Sequence, residues 1–227
     1  MTADGIVLVH GGLHTAQCWQ RVLPLLRSPT VAVDLPGRGS RTADLGTVTL
    51  ADCVAAVIED ADGAGFDRFV LVGHSLGGVT ITETAYRHPR RLAHLVYVGA
   101  LIPPLGSTAS ILMTGAPLED MPMMPEEQAH ALFGNDLTDE EWSHHYAGLV
   151  PEAVGIMNAA LSGYPSSVPA TYVNMTRDVP VPPTLAEQMA ASLGSGVQRR
   201  TIDAGHTVMV SQPEALAAII NDVAAST

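Results

Sequence analysis

The sequence predicts an α/β protein: a mostly parallel sheet of about six strands, flanked by helices, with one small helical insertion. Three observations lead there. Short apolar runs alternate with helical periodicity along most of the chain. The first four runs are nearly all apolar, as parallel strands buried on both faces are. The stretches between runs carry hydroxyl-x-x-carboxylate boxes of the kind that start helices.

Strands are expected, in order, at residues 6–10, 31–35, 69–73, 95–98, 171–174 and 197–202. Helix starts are expected at the boxes Thr49-Leu-Ala-Asp52, Thr138-Asp-Glu-Glu141, Thr184-Leu-Ala-Glu187 and Ser211-Gln-Pro-Glu214. Gly134 and Gly194 stand where helices should end. Repeated strand–helix units imply right-handed crossovers with helices on both faces. The alternation breaks once, from about 103 to 169, where prolines, methionines and short helical segments gather. Residues 1–102 and 170–227 are therefore expected to form the core, and 103–169 a lid over the carboxyl edge of the sheet, where such folds bind ligands. In that reading Met113 and Met124 lend flexible thioethers to a substrate pocket. The competing reading is a plain surface excursion with core-packing methionines.

Composition narrows the function classes. A chain of 227 residues that is 47% hydrophobic and 15% charged is globular, with enough length for one domain and a full core. Its net charge of −12 argues against nucleic acid or an anionic membrane surface as partner. The opening "MTADGIVLVHGG" has no basic region and only a five-residue apolar run, and no stretch is long enough to span a membrane. Cys18 and Cys53 need not pair, so a cytoplasmic location is expected. His144-His145 could hint at metal, but adjacent helical side chains diverge, and a solvated face is the expectation. No metal or organic cofactor is called for. Oligomeric state stays open.

The chemistry concentrates in "VLVGHSLGGV", residues 70–79, where Gly73-His74-Ser75-Leu76-Gly77 fits G-x-S-x-G between a strand and a helical pattern. A nucleophile on a sharp strand-to-helix turn needs glycines on either side, and the turn aims helix amides at the reacting centre. A phosphate loop would need a Gly-Lys-Ser/Thr ending, which is missing. Ser75 is the expected nucleophile. Its base should be a histidine oriented by a carboxylate. His10 and His74 sit beside strand ends, while His88, His94 and His130 read as helix or surface positions. His206, in the loop after the last strand, can reach the carboxyl edge, so it is the expected base. The chain order Ser…Asp…His selects Asp178 after the fifth strand. Asp203 is too close to His206 to orient it and reads as a loop cap; Asp34 reads as a turn former. The oxyanion donors are expected to be the amides of Leu76 and Gly12, with Leu13 as the fallback. Gly11, Leu13 and His14 on the same loop are expected to face substrate.

These residues bring out a resemblance. The stretches "VLVHGGLHTAQCW" (7–19), "DLPGRGSR" (34–41), "LVGHSLGG" (71–78), "RDVPVP" (177–182) and "AGHTVMVSQPEAL" (204–216) resemble the α/β-hydrolase superfamily. The similarity is greatest to the group holding the plant methylesterases, such as the salicylate-binding esterase, and the plant-type hydroxynitrile lyases. It covers most of the chain outside the insertion, and the 28-residue spacing from Asp178 to His206 agrees with it. The resemblance implies an α/β-hydrolase fold and a small-molecule ester substrate, cleaved through an acyl-enzyme. A lyase or cyclase using the same triad, and a ligand-binding protein that keeps the elbow, are the alternatives. The lyases of that group carry a lysine after the catalytic histidine and a threonine after the first-strand histidine; here those positions are Thr207 and Gly11. Where the lyases have a glutamate or similar residue before the nucleophile, this chain has His74. The differences at Thr207 and Gly11 point to hydrolysis, because a departing anion would find no cation beside His206.

Overall fold

The computed structural model describes residues 3–227, so residues 1 and 2, counted with the core from sequence, lie outside the described residues. Among the described residues six strands form one sheet: β1 (Gly5–Val9), β2 (Thr30–Val33), β3 (Phe69–His74), β4 (Leu92–Val98), β5 (Ala170–Met175) and β6 (Gln198–Ile202). Their order is β2-β1-β3-β4-β5-β6, and every pairing is parallel. The chain therefore winds from β1 to one edge, returns past β1, and builds the rest of the sheet on the other side. The point of reversal, between the carboxyl ends of β1 and β3, is where open α/β sheets leave a crevice.

Alternation within the strands assigns the two faces. Val7 and Val9 of β1 join Leu71, Leu95 and Tyr97 in a core covered by α1 (Leu50–Gly63), α2 (Gly77–Arg87) and α7 (Pro183–Ser192). Ile6 and Leu8 point the other way, with Val70, Val72, Val96 and Val98, against Val208 of α8 (Val208–Ser211) and Leu216 and Ile220 of α9 (Pro213–Ala225). Between β4 and β5 the chain leaves the sheet for α3 (Ala109–Thr114), α4 (Glu126–Phe133), α5 (Asp139–Ala147) and α6 (Val154–Met157). Ala129, Phe133, Trp142 and Leu149 of this stretch form a third, smaller core around Leu13. No described helix is long and apolar enough to cross a membrane.

Local expectations divide cleanly. Thr49 and Thr138 form reciprocal capping boxes with Asp52 and Glu141 at the starts of α1 and α5. Thr184 and Ser211 do not cap. Pro183 and Pro213 take the first position of α7 and α9, where their fixed φ and missing N–H suit a helix start without a side-chain cap. Gly134 caps α4, and Gly194, at φ 98°, follows the end of α7. β4 begins three residues earlier than expected and takes in His94, which is buried and bonded to Thr171 Oγ1 at 2.9 Å. His145 is likewise buried rather than solvated, while His144 on the same helix is exposed.

Candidate active site

Ser75 stands at the carboxyl end of β3 with φ 50°, in the left-handed region that a side chain rarely enters. The strain is held by the backbone on both sides. Ser75 N–H donates to the Val98 carbonyl at 3.1 Å, and its own carbonyl accepts from Gly78 and Leu101, each at 2.9 Å. The flanking glycines are a packing requirement: a Cβ at Gly77 would lie 2.6 Å from the His10 carbonyl oxygen, and one at Gly73 would lie 2.9 Å from that of Gly77. Ser75 itself is half-buried and lines a cavity.

His206 and Asp178 meet across 28 residues of sequence, with His206 Nδ1 2.9 Å from each carboxylate oxygen. Both side chains are buried. Asp178 Oδ1 also accepts the Val181 N–H at 2.8 Å, in the loop that prolines 180 and 182 stiffen. A carboxylate at Nδ1 fixes the tautomer with Nδ1 protonated and leaves Nε2 basic. The neighbouring His74 is linked to His206 directly: its Nε2–H donates to the His206 carbonyl at 3.0 Å. Burial, reinforced by the nearby His206, drives His74 well below the usual histidine range, so it acts as a neutral strut. Asp203 is exposed and accepts from Thr176 Oγ1 and Arg177, and Asp34 accepts the Ala16 and Ser40 amides, so neither touches His206 in these bonds.

The loop after β1 is pinned by two neutral imidazoles. His10 Nδ1–H donates to the Gly11 carbonyl at 2.8 Å while its Nε2 accepts the Leu35 N–H at 3.2 Å, which fixes its tautomer. Burial lowers His10 to about 3. His14 Nδ1–H donates to the Gly12 carbonyl at 2.6 Å, and its Nε2 accepts from His145 Nε2 at 3.1 Å. Burial holds His14 to about 4 and His145 to about 3. Holding the Gly11 carbonyl on one side turns the other end of that peptide, the Gly12 N–H, the opposite way. The Leu13 amide, the fallback donor, is already taken by Glu152 Oε2 at 3.0 Å.

A cavity of about 570 Å³ opens beside Ser75. Gly12, Leu13, Leu76, Met113 and Met124 line it, as does Phe133, whose ring lies 5.6 Å from that of His206. Gly11 and His14 are not among its lining residues. Gly11 is instead so close to the elbow that a Cβ there would come within 2.9 Å of Ser75 Cβ, and both ring nitrogens of His14 are used internally. Among the described residues no three His, Cys, Asp or Glu side chains converge as metal ligands.

Sequence reasoning missed the contacts from the insertion. Thr207 Oγ1 donates to the Phe133 carbonyl at 2.6 Å, and Gly205 N–H to Asp136 Oδ2 at 2.6 Å, so the residues on both sides of His206 are tied to the end of α4 and the loop that follows it. These pairs lie about seventy positions apart, beyond the reach of any local motif.

Comparison with known proteins agrees with this architecture. The model of the alpha/beta hydrolase family matches residues 6–219. A pyrethroid hydrolase of Sphingobium wenxiniae is 27% identical over 99% of this chain and 89% of its own. Methylesterase 7 of Arabidopsis thaliana is 27% identical over 96% of this chain and 95% of its own. The crystal structure of a pyrethroid hydrolase from Sphingobium faniae superposes with a TM-score of 0.80 at 25% identity, covering 97% of each chain. The chain belongs to the alpha/beta hydrolase family.

Proposed function

We propose that this carboxylic-ester hydrolase works through an acyl-enzyme on Ser75 and takes uncharged esters with a small or medium apolar group. The observation that carries the reading is the buried His206–Asp178 pair, tied through His74 to a strained serine on the wall of an apolar cavity. In this scheme His206 Nε2 takes the Ser75 proton as the hydroxyl attacks the ester carbonyl. The Gly12 and Leu76 amides receive the developing oxyanion. His206 then returns the proton to the leaving alcohol, and water repeats the sequence to free the acid. Asp178 holds the imidazole tautomer and stabilises its charged form. Residues 103–169 serve as the lid, supplying Met113, Met121, Met123 and Met124 to the cavity wall.

Substrate charge follows from the lining. Its one charged residue is Asp120, an exposed carboxylate, which favours neutral over anionic substrates. The relatives named for pyrethroid and methyl-ester hydrolysis act on esters, in keeping with this choice. A panel of p-nitrophenyl esters of increasing chain length, read beside methyl esters and mandelonitrile, tests the proposal. Turnover of the neutral esters is expected; rapid cyanide release without ester turnover would overturn it.

A further inference from the structure

Glu152, between α5 and α6, reaches under the oxyanion loop with its side chain fully buried. Its Oε2 accepts the Leu13 N–H at 3.0 Å and its Oε1 the Ala153 N–H at 2.7 Å. The guanidinium of Arg38, equally buried, pairs with the same carboxylate and donates through Nη1 to the Pro36 carbonyl at 3.1 Å. Leu13 sits at φ 64°, an unfavourable conformation for leucine, so the loop needs an outside hold to keep it.

The position of this carboxylate creates an electrostatic problem. A Cβ on Gly12 would come within 3.4 Å of Glu152 Oε2, so the negative charge stands beside the residue expected to receive the oxyanion. Alone, it would oppose the charge that forms there. A buried ion pair is also a poor source of stability compared with apolar side chains of similar size.

We propose that Arg38 and Glu152 are positioning residues for the oxyanion hole: Glu152 fixes the Gly12–Leu13 peptide from the insertion, and Arg38 cancels its charge. Arg38 also lies near enough to His10 to help keep that imidazole neutral, supporting the loop from its other side. The inference rests on the esterase reading above.

The test uses the full chain with R38M, R38M/E152Q and E152D, followed on p-nitrophenyl acetate and on the affinity for an alkylboronic acid. The boronate mimics the tetrahedral intermediate. R38M, which leaves a bare carboxylate, should lower kcat at least about tenfold with KM within about twofold, and weaken boronate binding by a similar factor. R38M/E152Q removes both charges but keeps an acceptor for Leu13, and should recover most of that loss. E152D keeps the charge but withdraws the acceptor, and should show the same split between kcat and KM. It carries the test if R38M is insoluble. Equal kcat in wild type, R38M and E152D would overturn the inference, and so would a double variant no better than R38M at matched thermal stability. A wild-type protein inert to both the ester and a fluorophosphonate would overturn the esterase reading and this inference with it.

Discussion

Ser75 owes its conformation to hydrogen bonds from β4 and from the start of α2, not to its own hydroxyl. Ser75→Ala should therefore fold normally and lose ester turnover; a variant retaining most of its activity would remove Ser75 from the reaction. Asp178 presents both oxygens to His206 Nδ1, so Asp178→Asn exchanges an acceptor for a donor and unsettles the tautomer. A fall in kcat of about 10⁴-fold is expected, by analogy with serine proteases. Asp203→Asn, on an exposed residue bonded to Thr176 and Arg177, should leave kcat near wild type. A severe Asp203 variant beside a silent Asp178 variant would reverse the assignment. The elbow at Ser75 and the pairing of His206 with Asp178 were legible because each residue sits in a local signal: glycines around a serine, prolines after a strand, a glycine before a histidine. Arg38 and Glu152 were not, since a buried ion pair between distant segments leaves no mark in either neighbourhood.

At the scale of elements, β1, β3 and β4 could be read from apolar runs, because a parallel strand covered on both faces has little room for polar side chains, whereas the edge strand β6, Gln-Arg-Arg-Thr-Ile, exposes four of its five residues. His94 and His145 show where that reading stops: their polarity suggested surface, whereas Thr171 and His14 satisfy them inside. Helix starts were legible at Thr49 and Thr138 and obscured by proline at α7 and α9. Thr138→Ala should lower unfolding stability by about 1 kcal/mol through loss of the α5 cap, measured by urea denaturation. The insertion lends Met121, Met123 and Met124 to the cavity from the approach to α4. Met123→Trp should reduce the ratio of long-chain to short-chain ester turnover by about tenfold, with little change in thermal midpoint. An unchanged ratio would show that this segment does not meet the acyl chain.

For the whole molecule, the buried imidazoles set an acid limit. Burial pushes His10, His14 and His145 down to about 3, 4 and 3, from the ordinary histidine value of about 6.5. Below 6.5 the unfolded chain takes up protons that the folded chain refuses, so stability falls with pH from there toward 4. Each such histidine contributes about 1.4 kcal/mol per pH unit in that window. Urea midpoints between pH 7.5 and 4.5 should fall as pH is lowered, and His145→Gln should make that fall shallower. A midpoint independent of pH would mean that these imidazoles are not held neutral.

An acyl-enzyme on Ser75 can be trapped with a fluorophosphonate and read by intact-mass spectrometry. One adduct per chain is expected, mapped to the peptide bearing Ser75 and absent from Ser75→Ala. Ester turnover by a protein that takes no adduct, or takes it at another residue, would contradict it.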